Sequence, residues 1–255
     1  MFKKILFIII FISTLISCTN YRKITYLQNL GKNKADTLFK YSETKYKIQP
    51  ADILYVGVSS IDADAARPFN NNISTNMGAE VAANPYLIGY TVDVTGFVEL
   101  PVIGKIRANG LTLDEIKTEV YNQVSKFLKD AVVDVKLLSF KISVIGEVRS
   151  PGMHNIPNEK ANIFEAIALA GDLTYYGNHR NVLILRQTEQ GTKTIRIDLT
   201  DKQLLSSENF DVKPNDIIYI EPLKIIGFKL IASDYSFLIT TLAATLTTIL
   251  IIIKL

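Results

Sequence analysis

YKIQPADILYVGV, residues 46–58, is the stretch on which the fold turns. Pro50 fixes its own φ and Asp52 can accept a backbone N–H, so together they punctuate a turn. Beyond it Ile53, Tyr55 and Gly57 alternate with Leu54, Val56 and Val58, the period of a strand with one buried face. FDVKPNDIIYIEP, residues 210–222, has the same design. Phe210 stands for Tyr46, Val212 for Ile48, Pro214 for Pro50 and Asp216 for Asp52, and Ile217, Ile218, Tyr219 and Ile220 supply the strand. No third copy is visible, so the pair marks two separate small β units rather than a long solenoid.

Between the two copies the patterning alternates between strand and helix. Residues Ile61 to Pro85, including RPFNNNISTNMGAEVAANP, are rich in Asn and small side chains and read as a mobile loop or an extension that packs outside its domain. YLIGYTVDVTGFVELPVIGKIRANG predicts a β-hairpin about a turn at Asp93 to Gly96, with Gly104 and Gly110 closing the next turns. LTLDEIKTEVYNQVSKFL predicts the clearest helix: Thr112 and Glu115 form a capping box, and Leu113, Ile116, Val120, Val124 and Phe127 recur at helical spacing. AVVDVKLLSFKISVIGEV is strand-rich, SPGMHNIP turns the chain, and ANIFEAIALAG predicts a short helix burying Ile163, Ile167 and Ala170, with Gly171 as a left-handed cap. NVLILRQ and KTIRIDL, joined by TEQG, read as a hairpin. The class is α+β, short helices laid on small mixed sheets.

The two ends have a different texture. At the start, Lys3 and Lys4 precede an apolar run from Ile5 to Ile16 and then Ser17 and Cys18. About 12 apolar residues rising roughly 1.5 Å each cannot cross a bilayer core of about 30 Å, so this is a signal peptide, residues 1–17, rather than a span. Residues 18–45 are polar and basic with scattered aromatics and read as a tether. At the far end the stretch 235–253 carries no charge, and about 19 helical residues reach close to 28 Å, enough to span. On a helical wheel Leu238, Ile239, Leu242, Leu246, Ile249, Leu250 and Ile253 share one sector. Ser236, Thr240, Thr241, Thr245, Thr247 and Thr248 gather opposite them with Ala243 and Ala244. One half suits lipid and the other a neighbouring helix or water, unless the threonines only return their hydroxyls to the helix backbone in a plain anchor.

Composition narrows the function. Removing Lys3 and Lys4 from 28 basic side chains leaves 26 against 25 acidic ones, too balanced for a phosphate-reading surface. Cys18 is the only cysteine, so no disulfide forms within the chain. His154 and His179 stand alone in their stretches and read as surface or loop side chains without a metal. Asp62 and Asp64 read as solvated loop carboxylates rather than an acid–base pair. Ser59, Ser60, Ser206 and Ser207 lack a nucleophile elbow, and GEVRSPG lacks the lysine and helix start of a phosphate loop. Nothing supports an enzyme, a cofactor or a metal.

In chain order, YKIQPADILYVGV, then VDVTGFVELPVIGKIRANGLTLDE, then VVDVKLLSFKISVIGEVRSPGMHNIPNEKANIFEAIALAGDLT resemble the outer-membrane polysaccharide export lipoproteins, the Wza-like family. The likeness runs from Tyr46 to about Pro222. It implies a polysaccharide export domain at 46–138 and a β-grasp domain of the soluble-ligand-binding type at 139–222, followed by a C-terminal transmembrane helix at 235–253. The family's structural motif falls on Pro50, Asp52, Gly146, Pro151, Gly152, Gly171, Pro214 and Asp216, with Glu147, Val148, Glu165, Ala166 and Ile167 completing the GEV and EAI pieces. Ile16 and Ser17 before Cys18 resemble a lipobox, which implies acylation of Cys18. Ala51 stands where the family usually has glycine, which a turn without positive φ accepts. One β-grasp module is visible where the best-known members have more. The resemblance implies a homo-oligomeric ring in the outer membrane of a Gram-negative bacterium, mostly periplasmic, whose C-terminal helices form a pore for capsular or exopolysaccharide. It also implies an inner-membrane polysaccharide copolymerase as partner, with or without a tyrosine autokinase domain. The alternative is an anchored periplasmic lipoprotein that binds a glycan or a protein and forms no pore.

Overall fold

The computed structural model describes residues 25–30, 38–40, 45–70, 85–188 and 190–224, and the helical positions 240–242, 244, 245 and 248. Two hydrophobic cores organise the chain. The first lies under β1 (Ile53–Ser59), which pairs antiparallel with β2 (Tyr90–Thr91) on one side and β5 (Val132–Leu137) on the other. Leu54, Val56 and Val58 point inward, as the period-two pattern requires. They meet Val98, Leu100 and Ile106 of the hairpin β3 (Phe97–Leu100) and β4 (Gly104–Arg107), and the inner face of helix α3 (Leu113–Val124). The expected turn at Asp93–Gly96 is present, but the paired hairpin is β3 with β4, because Tyr90–Thr91 is claimed by β1.

Helix α3 begins as its sequence dictates. The Glu115 amide donates to Thr112 Oγ1, and the Glu115 carboxylate accepts from the Thr112 amide at 2.7 Å. Ile116, Val120 and Val124 are buried. Phe127 is not on that face: the helix ends at Val124, and the ring sits 61% exposed against Phe69.

The segment expected to be loop from Ile61 is built over its first ten residues. Asp62 caps a short helix α1 (Ala63–Ala66), accepting from the amides of Asp64 and Ala65, and Asp64 pairs with Arg67. Asn70 then clasps Val58 on both its amide and its carbonyl at 2.8 Å, which drives Phe69 into the core. Composition alone misread this part, because its polar residues hold the backbone while one aromatic is buried. The rest of the expected loop precedes α2 (Pro85–Ile88) and lies outside the described residues.

The second core lies in a five-stranded sheet of order β10–β9–β12–β6–β7. β6 (Lys141–Gly146) and β12 (Ile217–Pro222) run parallel at its centre. β9 (Gly177–Thr188) and β10 (Gly191–Ile197) form the expected hairpin. β7 (Gly152–Asn155), expected as part of a turn, is instead the edge strand paired with β6. Helix α4 (Ile163–Leu169) packs Ile163, Ala166 and Ile167 onto the sheet, each isoleucine contributing on the order of 2 kcal/mol by burial. A small ladder of β8 (Ala161–Asn162) with β11 (Asp211–Val212) closes the module.

His179 departs from the expected surface position. β9 starts at Gly177, before the apolar run that announced it, so His179 faces inward at 5% exposure. Its ring lies 5.0 Å from that of Tyr26. Thr25–Leu30, read as tether, lies against this second module: Leu27 and Gln28 amides donate to the carbonyls of Leu199 and Thr200, and Tyr26 Oη donates to Asp172. The modules themselves meet at Leu137, which packs against both cores, and at Ser139, whose hydroxyl binds Asp52.

Candidate functional site

The two Pro-x-Asp turns are the same object built twice. In the first, the Gln49 amide donates to Asp52 Oδ2 at 2.9 Å and the Asp52 amide to the Gln49 carbonyl at 3.2 Å. In the second, the Lys213 amide donates to Asp216 Oδ2 at 2.8 Å and the Asp216 amide to the Lys213 carbonyl at 3.1 Å. Pro50 and Pro214 hold φ between these bonds. The residue after each proline is left-handed, Ala51 at φ 73° and Asn215 at φ 65°. The expectation that Ala51 signals a turn without positive φ is therefore wrong: the turn keeps its shape and alanine takes the strained conformation.

The aspartates differ in what neutralises them. Asp52, 3% exposed, accepts from Tyr46 Oη at 2.8 Å and Ser139 Oγ at 3.2 Å, with no cation paired to it among the described residues. Burial raises its pKa, and the bonds from Gln49, Tyr46 and Ser139 only partly oppose the rise. Asp216, fully buried, receives a bidentate guanidinium: Arg186 Nε at 2.9 Å and Nη2 at 2.7 Å. Nη2 also reaches the Asp211 carbonyl at 3.1 Å. Arg186 was not singled out from the sequence, yet Val182, Ile184 and Arg186 share one parity of β9, and an inward cation on such a strand announces a buried partner.

The other motif residues come together at the mouth of the second module. The Arg149 amide donates to the Asp172 carbonyl, the Ser150 amide to that of Ala170, and the Arg149 guanidinium to that of Gly171 at 2.6 Å. The strand-and-turn piece and the end of α4 thus zip to each other, with Val148 bridged to Leu173. Gly171, at φ 74°, closes the helix as expected. Gly146, at φ 92°, lies where a Cβ would stand 2.2 Å from the Ile220 carbonyl oxygen, so it lets β6 and β12 close. Pro151 precedes Gly152 at the start of β7. Asn162 with Glu165 forms a second capping box, legible as N-x-x-E but not singled out beforehand.

Between the modules runs a cleft. Tyr46, Lys47 and Gln49, leading into the first turn, form one wall with Asn109. Across a space of about 690 Å³ stand Gln187 and Thr188 of β9 and Lys193 of β10, with Lys213 of the second turn. A smaller hollow of about 330 Å³ adjoins it, sharing Lys45, Tyr46 and Lys213. Among the described residues, no group of three His, Cys, Asp or Glu gathers as a metal site.

The terminal features are described only in part. Cys18, Ser236 and Thr247 lie outside the described residues, and among those described no helix is long and apolar enough to cross a membrane. Thr240, Thr241, Thr245 and Thr248 are helical and exposed. Thr245 Oγ1 donates to the Leu242 carbonyl at 2.9 Å and Thr248 Oγ1 to that of Ala244 at 2.7 Å.

Residues 40–138 match the family described as polysaccharide biosynthesis/export protein, and residues 140–220 match the SLBB domain. The chain is similar to the EPS I polysaccharide export outer membrane protein EpsA of Ralstonia nicotianae, 27% identical over 183 residues, 70% of this chain and 48% of that one. It is also similar to the EpsA protein of Ralstonia solanacearum, 26% identical over 148 residues, 56% of this chain and 39% of that one. The chain spans less than half the length of either relative. An export domain and an SLBB domain are thus matched one after the other on two modules joined at Leu137, the domain order of the Wza-like polysaccharide export family that the chain resembles.

Proposed function

We propose that the chain is a subunit of an outer-membrane conduit for capsular or exopolysaccharide. The observation that carries this reading is the succession of export and SLBB domains, in a chain whose relatives are named for polysaccharide export at the outer membrane. The family is one of export proteins rather than enzymes. In this reading residues 1–17 are removed, lipid on Cys18 holds the protein to the membrane, and 18–45 leads to the export domain at 46–138 and the β-grasp domain at 139–222. The helix at 235–253 spans the membrane and assembles with its copies into a pore, its Ser236, Thr240, Thr241, Thr245, Thr247 and Thr248 half turned to water or to a neighbour. The modules build a periplasmic ring wall that docks on an inner-membrane polysaccharide copolymerase.

A second reading, an anchored binding lipoprotein without a pore, draws on the hydroxyls of Thr245 and Thr248, which are spent on their own helix. The mass of the mature full-length protein in detergent, beside a version ending at Ser233, separates the two. The conduit requires a large uniform oligomer that truncation abolishes. A monomer in both forms overturns it in favour of the anchored binder.

A further inference from the structure

The acids around the two adjoining hollows lie on one side. Asp114, Glu159, Glu208 and Asp211 line the smaller one, together with Lys45, Lys160 and Lys213. Among the described residues, none of the side chains lining the larger cleft is a carboxylate, while Lys45, Lys47, Arg186, Lys193 and Lys213 all are cationic. Two of these are already matched, Lys45 by Asp114 at 2.7 Å and Arg186 by Asp216. Lys47, Lys193 and Lys213 make no ion pair among the described residues. They come from three different parts of the fold: the approach to the first turn, strand β10, and the second turn. Lys213 is the least exposed of the three. Burial first, and then the charge of Arg186, weaken its hold on its proton, with Lys193 adding to the effect and Asp216 and Glu208 opposing it. Glu115 lies within electrostatic reach of Lys47 but is committed to its capping box.

Three like charges drawn to one concave surface repel each other unless something negative sits among them. Beside Tyr46, Ile48 and two glycines, the lining carries the amides and hydroxyls of Gln49, Asn109, Gln187, Thr188, Gln190 and Thr192, partners for a ligand dense in hydroxyls. About 690 Å³ lies within the range of sites that hold a small ligand. We infer that this cleft between the export and SLBB modules binds a carboxylate-bearing segment of glycan, with Lys47, Lys193 and Lys213 on the acid groups and the amides on the sugar hydroxyls. The inference rests on the export reading for the polymer being a glycan, and it adds the acidic character and the place.

The test uses the full-length protein in detergent and titrates oligogalacturonate, a neutral malto-oligosaccharide of similar length and a polyglutamate peptide, by calorimetry. Lys47 and Lys193 are exposed, so the Lys47→Gln, Lys193→Gln double variant leaves both cores intact, and Lys126→Gln outside the cleft serves as control. Expected is binding of oligogalacturonate that weakens as salt rises, falls by about tenfold or more in the double variant, and is unchanged in the control. Binding of the neutral sugar equally well, or acidic binding indifferent to the double variant, overturns the inference. Binding of polyglutamate alone overturns it as well, because the cleft then takes an acidic protein segment. The detergent mass of the same sample reports separately on the conduit, so a failed titration with an intact oligomer sinks only the cleft.

Discussion

The two Pro-x-Asp turns share a backbone and differ in how they neutralise a buried acid. The second brings a guanidinium from thirty residues earlier in the chain, and the first makes do with a phenol, a serine and one amide. The backbone motif is local and repeats wherever the sequence repeats. Its electrostatic solution is set by the strand packed beside it, and each module supplies its own. The second turn is consequently the more strongly committed, since loss of one partner leaves the other charged and dry.

Breaking that commitment gives the largest expected effect. Arg186→Met keeps most of the side-chain volume and strands Asp216 without its cation, which should cost about 3–5 kcal/mol. Thermal unfolding of the full chain in detergent measures it, and the double change Arg186→Met with Asp216→Asn should recover part of the loss. If Arg186→Met unfolds at the wild-type temperature, the pair does not hold the second turn. A smaller loss should follow Tyr46→Phe at the first turn, where one hydrogen bond to a carboxylate, worth about 1.5–3 kcal/mol, is removed.

The same contrast fixes a pH dependence for the first turn. Burial raises the pKa of Asp52, so the native state holds this proton more tightly than the unfolded chain does. Its stabilising contribution is complete below the ordinary aspartate value and is lost as pH rises through the raised one. Asp52→Asn, which cannot ionise, should therefore gain stability relative to the wild type as pH rises from acid to neutral. Unfolding temperatures of both proteins from pH 3 to pH 7 give the difference, and a constant difference across that range would show that burial does not govern Asp52.

How much of this was legible beforehand follows the same division between local and distant. The turns, the Thr112 box of α3, Gly171 and the β9–β10 hairpin depend on residues a few positions apart, and the sequence announces them. The Arg186 bond to Asp216, the Ser139 bond to Asp52, the burial of His179 and the descent of Phe69 depend on pairings a dozen or more positions apart, beyond the reach of a local pattern. The docking of Tyr26 on Asp172 spans 146 positions and was invisible for that reason. Of the candidate site, the motif residues were readable, while the cleft required knowing that the approach to one turn faces the other. The parity of Arg186 on β9 was the one overlooked sequence signal that pointed inward.

The smallest predicted effect sharpens the comparison where the turns look most alike. Ala51 and Asn215 occupy the same left-handed position, but alanine there meets the steric penalty of a Cβ, whereas asparagine tolerates it. Both side chains are exposed, so replacing either removes no core packing. Ala51→Gly should relieve roughly 1–2 kcal/mol of strain against roughly 0.5–1 kcal/mol lost to the freer unfolded chain, a net gain of about 1 kcal/mol. Asn215→Gly has less strain to relieve and should change stability by under about 0.5 kcal/mol. Parallel chemical denaturation of the two variants decides the matter. A larger gain at 215 than at 51 would mean that alanine is not strained in the first turn, and that the turn has a shape of its own rather than the one its repeat adopts.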